Sequence, residues 1–107
     1  MTSKSPITIE AVMLPAIHPG EILAEELGTI GVSVSALARA LDVPQSRMAE
    51  IVKCERSITA DTALRLAAYF GTSARLWLNL QASYDLAMTQ AREGERIAAV
   101  VRPRSAA

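Results

Sequence analysis

Apolar residues recur at helical spacing along most of the chain, and polar residues and glycines break the runs apart. Leu23, Leu27 and Ile30 fall on one face of a helix that opens at Pro19, a favourable first position because proline's missing N–H has no intrahelical partner there. Glu21 suits the positive first turn, and Gly28 and Gly31 mark the end. A second helix is predicted from about Ser35 to Leu41, capped by Ser33 or Ser35, with Leu37, Ala38 and Leu41 turned inward. Pro44 disfavours helix at Val43, so Asp42-Val43-Pro44 reads as a tight connection. A third helix follows from Pro44 or Gln45 to Lys53, with Met48, Ile51 and Val52 as its buried stripe. Thr59 caps a fourth, which carries Asp61 in its first turn, turns Ala63, Leu64, Ala67 and Phe70 inward, and closes at Gly71. Thr72 or Ser73 caps a fifth that runs to about Arg92, with Leu76, Trp77, Leu80, Tyr84 and Ala87 along one side.

The pattern predicts an all-α domain of five helices over residues 17–92. Residues 1–16 form an N-terminal arm: Thr8-Ile9-Glu10-Ala11-Val12 reads as a short strand or an arm that orders on binding, or the segment is a plain flexible tail. Residues 93–107 are a C-terminal tail, in which Arg96-Ile97-Ala98-Ala99-Val100-Val101 either extends the last helix or pairs as a strand. Leu78, Leu86 and Met88 widen the apolar surface of the fifth helix beyond the needs of one small core, so Leu76, Trp77, Leu80 and Tyr84 are expected at a homodimer interface.

Composition narrows the function. The chain has 107 residues, half of them hydrophobic, 21% charged and 4% aromatic, which suits one packed domain and not a disordered chain. Eleven basic residues balance eleven acidic ones, so a nucleic-acid role must rest on where the charges sit. Lys4 against Glu10, Glu21, Glu25 and Glu26 leaves the front acidic, whereas Arg39, Arg47, Lys53 and Arg56 tip the middle basic. One cysteine and one histidine exclude a disulfide framework, a cysteine cage and a multi-histidine zinc site, so no metal or cofactor is expected. No apolar run approaches the roughly 18 residues that span a bilayer, and the N-terminus lacks a secretory signal, which together predict a cytoplasmic protein with no membrane partner. No plausible catalytic constellation is present, and the chain is not expected to be an enzyme.

The second and third helices have the makings of a helix-turn-helix: a short supporting helix, small Ala38 where the helices cross, and apolar Val43 to plug the turn. Asp42 sits where the backbone tends toward positive φ, which aspartate tolerates better than most residues. The exposed side of the third helix is rich in donors. Arg47 matches guanine O6 and N7, Gln45 matches adenine N6 and N7, and Ser46 suits a phosphate or base edge near the helix N-terminus. Arg56, Ser57 and Thr59 are placed to clamp the backbone on the other side. The expected DNA face is therefore Ser35, Gln45, Ser46, Arg47, Glu50, Lys53, Arg56 and Thr59. Glu50 and Glu55 repel phosphate, and the competing reading of this spacing is a helical hairpin with a solvated polar face.

Residues 33–71 resemble the lambda-repressor-like (XRE) helix-turn-helix domain, and residues 17–86 are similar to the HigA-type antitoxins. The likeness rests on Ile17-His18-Pro19-Gly20-Glu21-Ile22-Leu23, Leu37-Ala38-Arg39-Ala40-Leu41-Asp42-Val43, Arg56-Ser57-Ile58-Thr59-Ala60-Asp61-Thr62-Ala63-Leu64-Arg65-Leu66 and Trp77-Leu78-Asn79-Leu80-Gln81. Lys53-Cys54-Glu55 departs from it, because the family usually ends the reading helix with more basic residues or a glycine. The resemblance implies two partners: a cognate toxin, commonly a small basic ribonuclease of the RelE-like class, and double-stranded operator DNA bound by a repressing dimer. The acidic front, Glu21, Glu25 and Glu26, suits a basic toxin, or is an ordinary solvated helix face. Two alternatives stand beside this reading: a repressor of the same fold without a toxin, and a protein-interaction module that has lost DNA binding.

Four features invite over-reading. His18 at a helix start is expected to cap or pack. Lys53 and Arg56 flank Cys54, a setting that lowers a thiol pKa; a redox role is set against an incidental thiol. Trp77 and Tyr84 read as core or interface residues. Arg92, Arg96, Arg102 and Arg104 read as a solvated basic tail or as contacts to phosphate or toxin.

Overall fold

The computed structural model describes residues 16–105. The part of the expected arm before residue 16 lies outside the described residues. The described chain contains five helices and no strand: α1 (Pro19–Ile30), α2 (Val34–Leu41), α3 (Gln45–Val52), α4 (Ala60–Phe70) and α5 (Ala74–Val100). Two compact units emerge, one of residues 17–84 and one that includes residues 85–105.

Local chemistry sets the helix ends in the first unit. The Gly20 N–H donates to His18 Nδ1 at 2.8 Å, so His18 is the side-chain cap of α1. Ser33 Oγ accepts the Ala36 N–H at α2, Thr59 Oγ1 the Thr62 N–H at α4, and Ser73 Oγ the Leu76 N–H at α5. Each is a hydroxyl cap on first-turn donors that the helix itself leaves unpaired. Gly31 and Gly71 end α1 and α4 in the left-handed conformation, and Asp42 ends α2 at φ 59°. Cys54 follows α3 at φ 64°, where the Cys54 N–H donates to Ile51 O and the Glu55 N–H to Glu50 O. This is the doubled C-terminal hydrogen bonding that usually recruits glycine.

The core of this unit gathers Leu23 and Leu27 from α1, Leu37, Ala38 and Leu41 from α2, Met48 and Ile51 from α3, Ala63 and Leu66 from α4, and Trp77 from α5. Full burial of a leucine-sized side chain contributes about 1.5–3 kcal/mol. α3 packs on both α2 and α1. The second approach is close enough that a Cβ on Gly20 would meet Ile51 O at 1.8 Å. Gln81, buried on α5, accepts the Ile58 N–H at 2.8 Å and ties the loop after α3 to the last helix.

Three expectations need correction. Leu64 is 64% exposed; the inner stripe of α4 is Thr62, Ala63 and Leu66, because Leu64 is rotated about 100° from Ala63. Ile30 is also exposed, being the last residue of α1 before the chain turns at Gly31. The fifth helix does not stop near Arg92 but continues to Val100, and the strand alternative for residues 96–101 falls with it. Gly94 costs an isolated helix only about 1 kcal/mol, and Pro103 disfavours helix just before it. Within the second unit an Arg96–Glu93 pair at 2.7 Å spans one turn of this extension.

Candidate nucleic-acid interface

The N-terminus of α3 is open. Pro44 precedes it without a side-chain cap, so its first-turn N–H groups have no capping side chain. That end carries the positive pole of the helix and favours phosphate. Gln45 and Ser46 stand exposed in this first turn, and neither side chain hydrogen-bonds another described residue. Lys53 is exposed at the other end of α3.

The remaining residues of the expected face are engaged. Arg47 Nη1 donates to Asp61 Oδ2 at 2.6 Å and to Thr62 Oγ1 at 3.5 Å, so its guanidinium lies toward α4. Arg65 Nε donates to the same Asp61 oxygen at 3.0 Å, and Arg65 Nη1 donates to Leu41 O at 2.8 Å and Asp42 O at 3.3 Å. The chain of contacts links the turn between α2 and α3 to the start of α4 and back to α3. These arginines hold the Asp61 carboxyl below its ordinary value, the Arg65 hydrogen bond first and the Arg47 bond second. Arg56 Nη1 pairs with Glu50 Oε1 at 3.1 Å, so the negative charge of Glu50 is locally compensated. Ser35 Oγ accepts from Arg39 Nη1 at 3.0 Å.

Arg47, Arg56, Ser57, Thr59, Thr62 and Arg65, with the Asp61 carboxylate among them, surround an open cleft of about 220 Å³ beside α3 and the start of α4. Guanidinium and hydroxyl donors converge there, as a phosphate backbone requires. Arg39, Asp61 and Arg65, not among the residues expected from the sequence, take part in these hydrogen bonds. Among the described residues, no group of acidic, histidine or cysteine side chains is arranged to hold a metal ion, and no helix is long and apolar enough to cross a membrane.

The other candidates are spread over the first unit. Glu21, Glu25 and Glu26 are exposed on α1. Glu26 borders an apolar hollow of about 270 Å³ lined also by Ile22, Phe70, Leu76 and Trp77. Glu21 lies near Cys54. Desolvation first, then the Glu21 and Glu55 carboxylates, push the thiol pKa up, contrary to the lowering expected from Lys53 and Arg56. Of the residues expected at a dimer interface, Leu76 is 43% exposed and Leu80 and Tyr84 are half-buried. Trp77, only 4% exposed, is a core residue, with its ring near Phe70 and Nε1 donating to Thr72 Oγ1. Tyr84 packs edge-on against His18, with centroids 4.9 Å apart.

No family model matches the sequence. Individual proteins do. Virulence-associated protein I of Dichelobacter nodosus is 60% identical over 78 residues, 72% of each chain. The structure of an addiction-module antidote protein of the HigA family from Coxiella burnetii is 50% identical, covers 85% of this chain and 100% of its own, and superposes with a TM-score of 0.82.

The chain belongs to the HigA antitoxin family.

The Pseudomonas aeruginosa antitoxin HigA, solved with the higBA promoter, is 46% identical over 85% of this chain and 100% of its own, with a TM-score of 0.81. The lambda-repressor-like helix-turn-helix read from the sequence is thus the fold of this HigA-family chain. Its relatives are antitoxins and transcriptional regulators, not enzymes.

Proposed function

We propose that the chain is a cytoplasmic antitoxin that neutralises a RelE-like ribonuclease toxin and, as a homodimer, represses its own operon. The observation that carries the DNA half is the uncapped N-terminus of α3, with Gln45 and Ser46 exposed beside the arginine-lined cleft. The Pseudomonas relative solved with its higBA promoter supports DNA binding. In this reading α3 enters the major groove, Gln45, Ser46 and Arg47 meet base edges, and Ser35, Lys53, Arg56 and Thr59 contact the sugar-phosphate backbone. Glu50 keeps Arg56 in place. Leu76, Leu80 and Tyr84 contribute to the dimer, which sets two reading helices about one DNA turn, roughly 34 Å, apart.

The toxin half rests on family membership and on exposed Glu21, Glu25 and Glu26 of α1, which suit a basic partner; Glu26 adjoins the hollow at Ile22 and Leu76, a place for an apolar anchor. The test is co-expression with the product of any small basic reading frame that adjoins this one. Growth arrest by that product alone, relief by this chain and co-purification of the two support the antitoxin reading. Promoter binding without any captured or neutralised neighbour leaves a repressor without a toxin.

A further inference from the structure

Arg47 and Asp61 lie fourteen positions apart in sequence and meet at 2.6 Å, yet both are partly exposed, at 26% and 54% of the side chain. A surface pair of this kind contributes little to stability, and a carboxylate beside a DNA-binding face weakens attraction for every phosphate. A gain that offsets this loss lies in orientation. The Asp61 and Thr62 contacts occupy Nη1 of Arg47, while its Nε–H and Nη2–H have no partner among the described residues. Those two donors form the side edge of the guanidinium, a planar fork whose spacing matches guanine O6 and N7. Asp61 is itself fixed, because Arg65 binds the same oxygen and reaches the carbonyls of Leu41 and Asp42 in the turn.

We infer that Asp61 is a specificity-determining positioning residue: with Arg65 it anchors Arg47 so that the free edge of the guanidinium reads a guanine in the operator. This rests on the proposed DNA-binding reading. The orientation benefits only a site with guanine at the right position, whereas the added negative charge disfavours all DNA equally. The pair therefore raises discrimination, not overall affinity.

The experiment measures fluorescence anisotropy with two duplexes, one from the region immediately upstream of this reading frame and one of the same composition scrambled. Asp61→Asn is expected to lower the ratio of the two affinities roughly tenfold, with binding to the scrambled duplex unchanged or stronger. Asp61→Glu restores much of the ratio. Arg47→Ala lowers the ratio on its own, and Asp61→Asn adds nothing to it, because Asp61 acts through Arg47. Arg47→Lys, which keeps the charge and lacks the fork, lowers the ratio while the salt dependence stays; it keeps the inference testable if Asp61→Asn folds poorly. An unchanged ratio in Asp61→Asn or Arg47→Lys overturns the inference, as does an additive fall in the double variant. A wild-type chain that does not prefer the upstream duplex overturns the DNA-binding reading and the inference with it. A wild-type preference that survives Asp61→Asn overturns the inference alone.

Discussion

Gln81 on α5 accepts the backbone N–H of Ile58 over 2.8 Å, in a site where both residues are buried. The loop between α3 and α4 has no secondary-structure partner for that N–H, so the glutamine stands in for one. Gln81→Leu keeps the volume and leaves the N–H unsatisfied. It is expected to destabilise the domain by about 1–3 kcal/mol, read as a lower midpoint in urea unfolding.

Gly20 is required by a neighbour and not by its φ. A Cβ there would meet Ile51 O at 1.8 Å, and backbone at a helix end yields little. Gly20→Ala is expected to cost about 3 kcal/mol despite alanine's better helix propensity. Thermal unfolding of the variant checks this; stabilisation would show that α1 and α3 do not approach so closely.

Cys54 occupies a left-handed position that costs an ordinary L-residue roughly 1–2 kcal/mol. Cys54→Gly is expected to raise stability by about 1 kcal/mol, read from chemical denaturation. With its pKa pushed above the ordinary value near 9.0, the thiol stays protonated at neutral pH. Alkylation by iodoacetamide is therefore expected to be slow at pH 7, to rise steadily with pH as the thiolate fraction grows, and to level off at a higher pH than for an ordinary thiol.

Asp61 contributes to acid sensitivity. Arg65 and Arg47 hold its carboxyl below the ordinary value near 3.8 in the folded chain, so as pH falls the unfolded chain takes up the proton first. The contribution is complete above 3.8 and drains away as pH drops through the lower folded value. The stability gap between wild type and Asp61→Asn should narrow over that acid range, and a gap independent of pH would contradict the assignment.

Much of this was legible along the chain because it is local. The caps at His18, Ser33 and Thr59, the closing Gly71, and positive φ at Asp42 each follow from one or two neighbouring residues. What was not legible depends on contacts between distant segments. The tight approach at Gly20, the anchoring of Arg47 by Asp61 and Arg65, and the outward turn of Leu64 are set by how α1, α3 and α4 meet. The continuation past Gly94 reflects a different limit: one glycine among good helix formers is too weak a stop signal to predict the end.

Recognition of DNA by the exposed face of α3 is most directly tested by affinity for the upstream duplex and its scrambled counterpart across a salt titration. A clear preference for the upstream duplex is expected, with a logarithm of affinity that falls linearly with the logarithm of salt by about one unit per phosphate contact. Equal affinity for the two duplexes, or no binding to either at low salt, would contradict it.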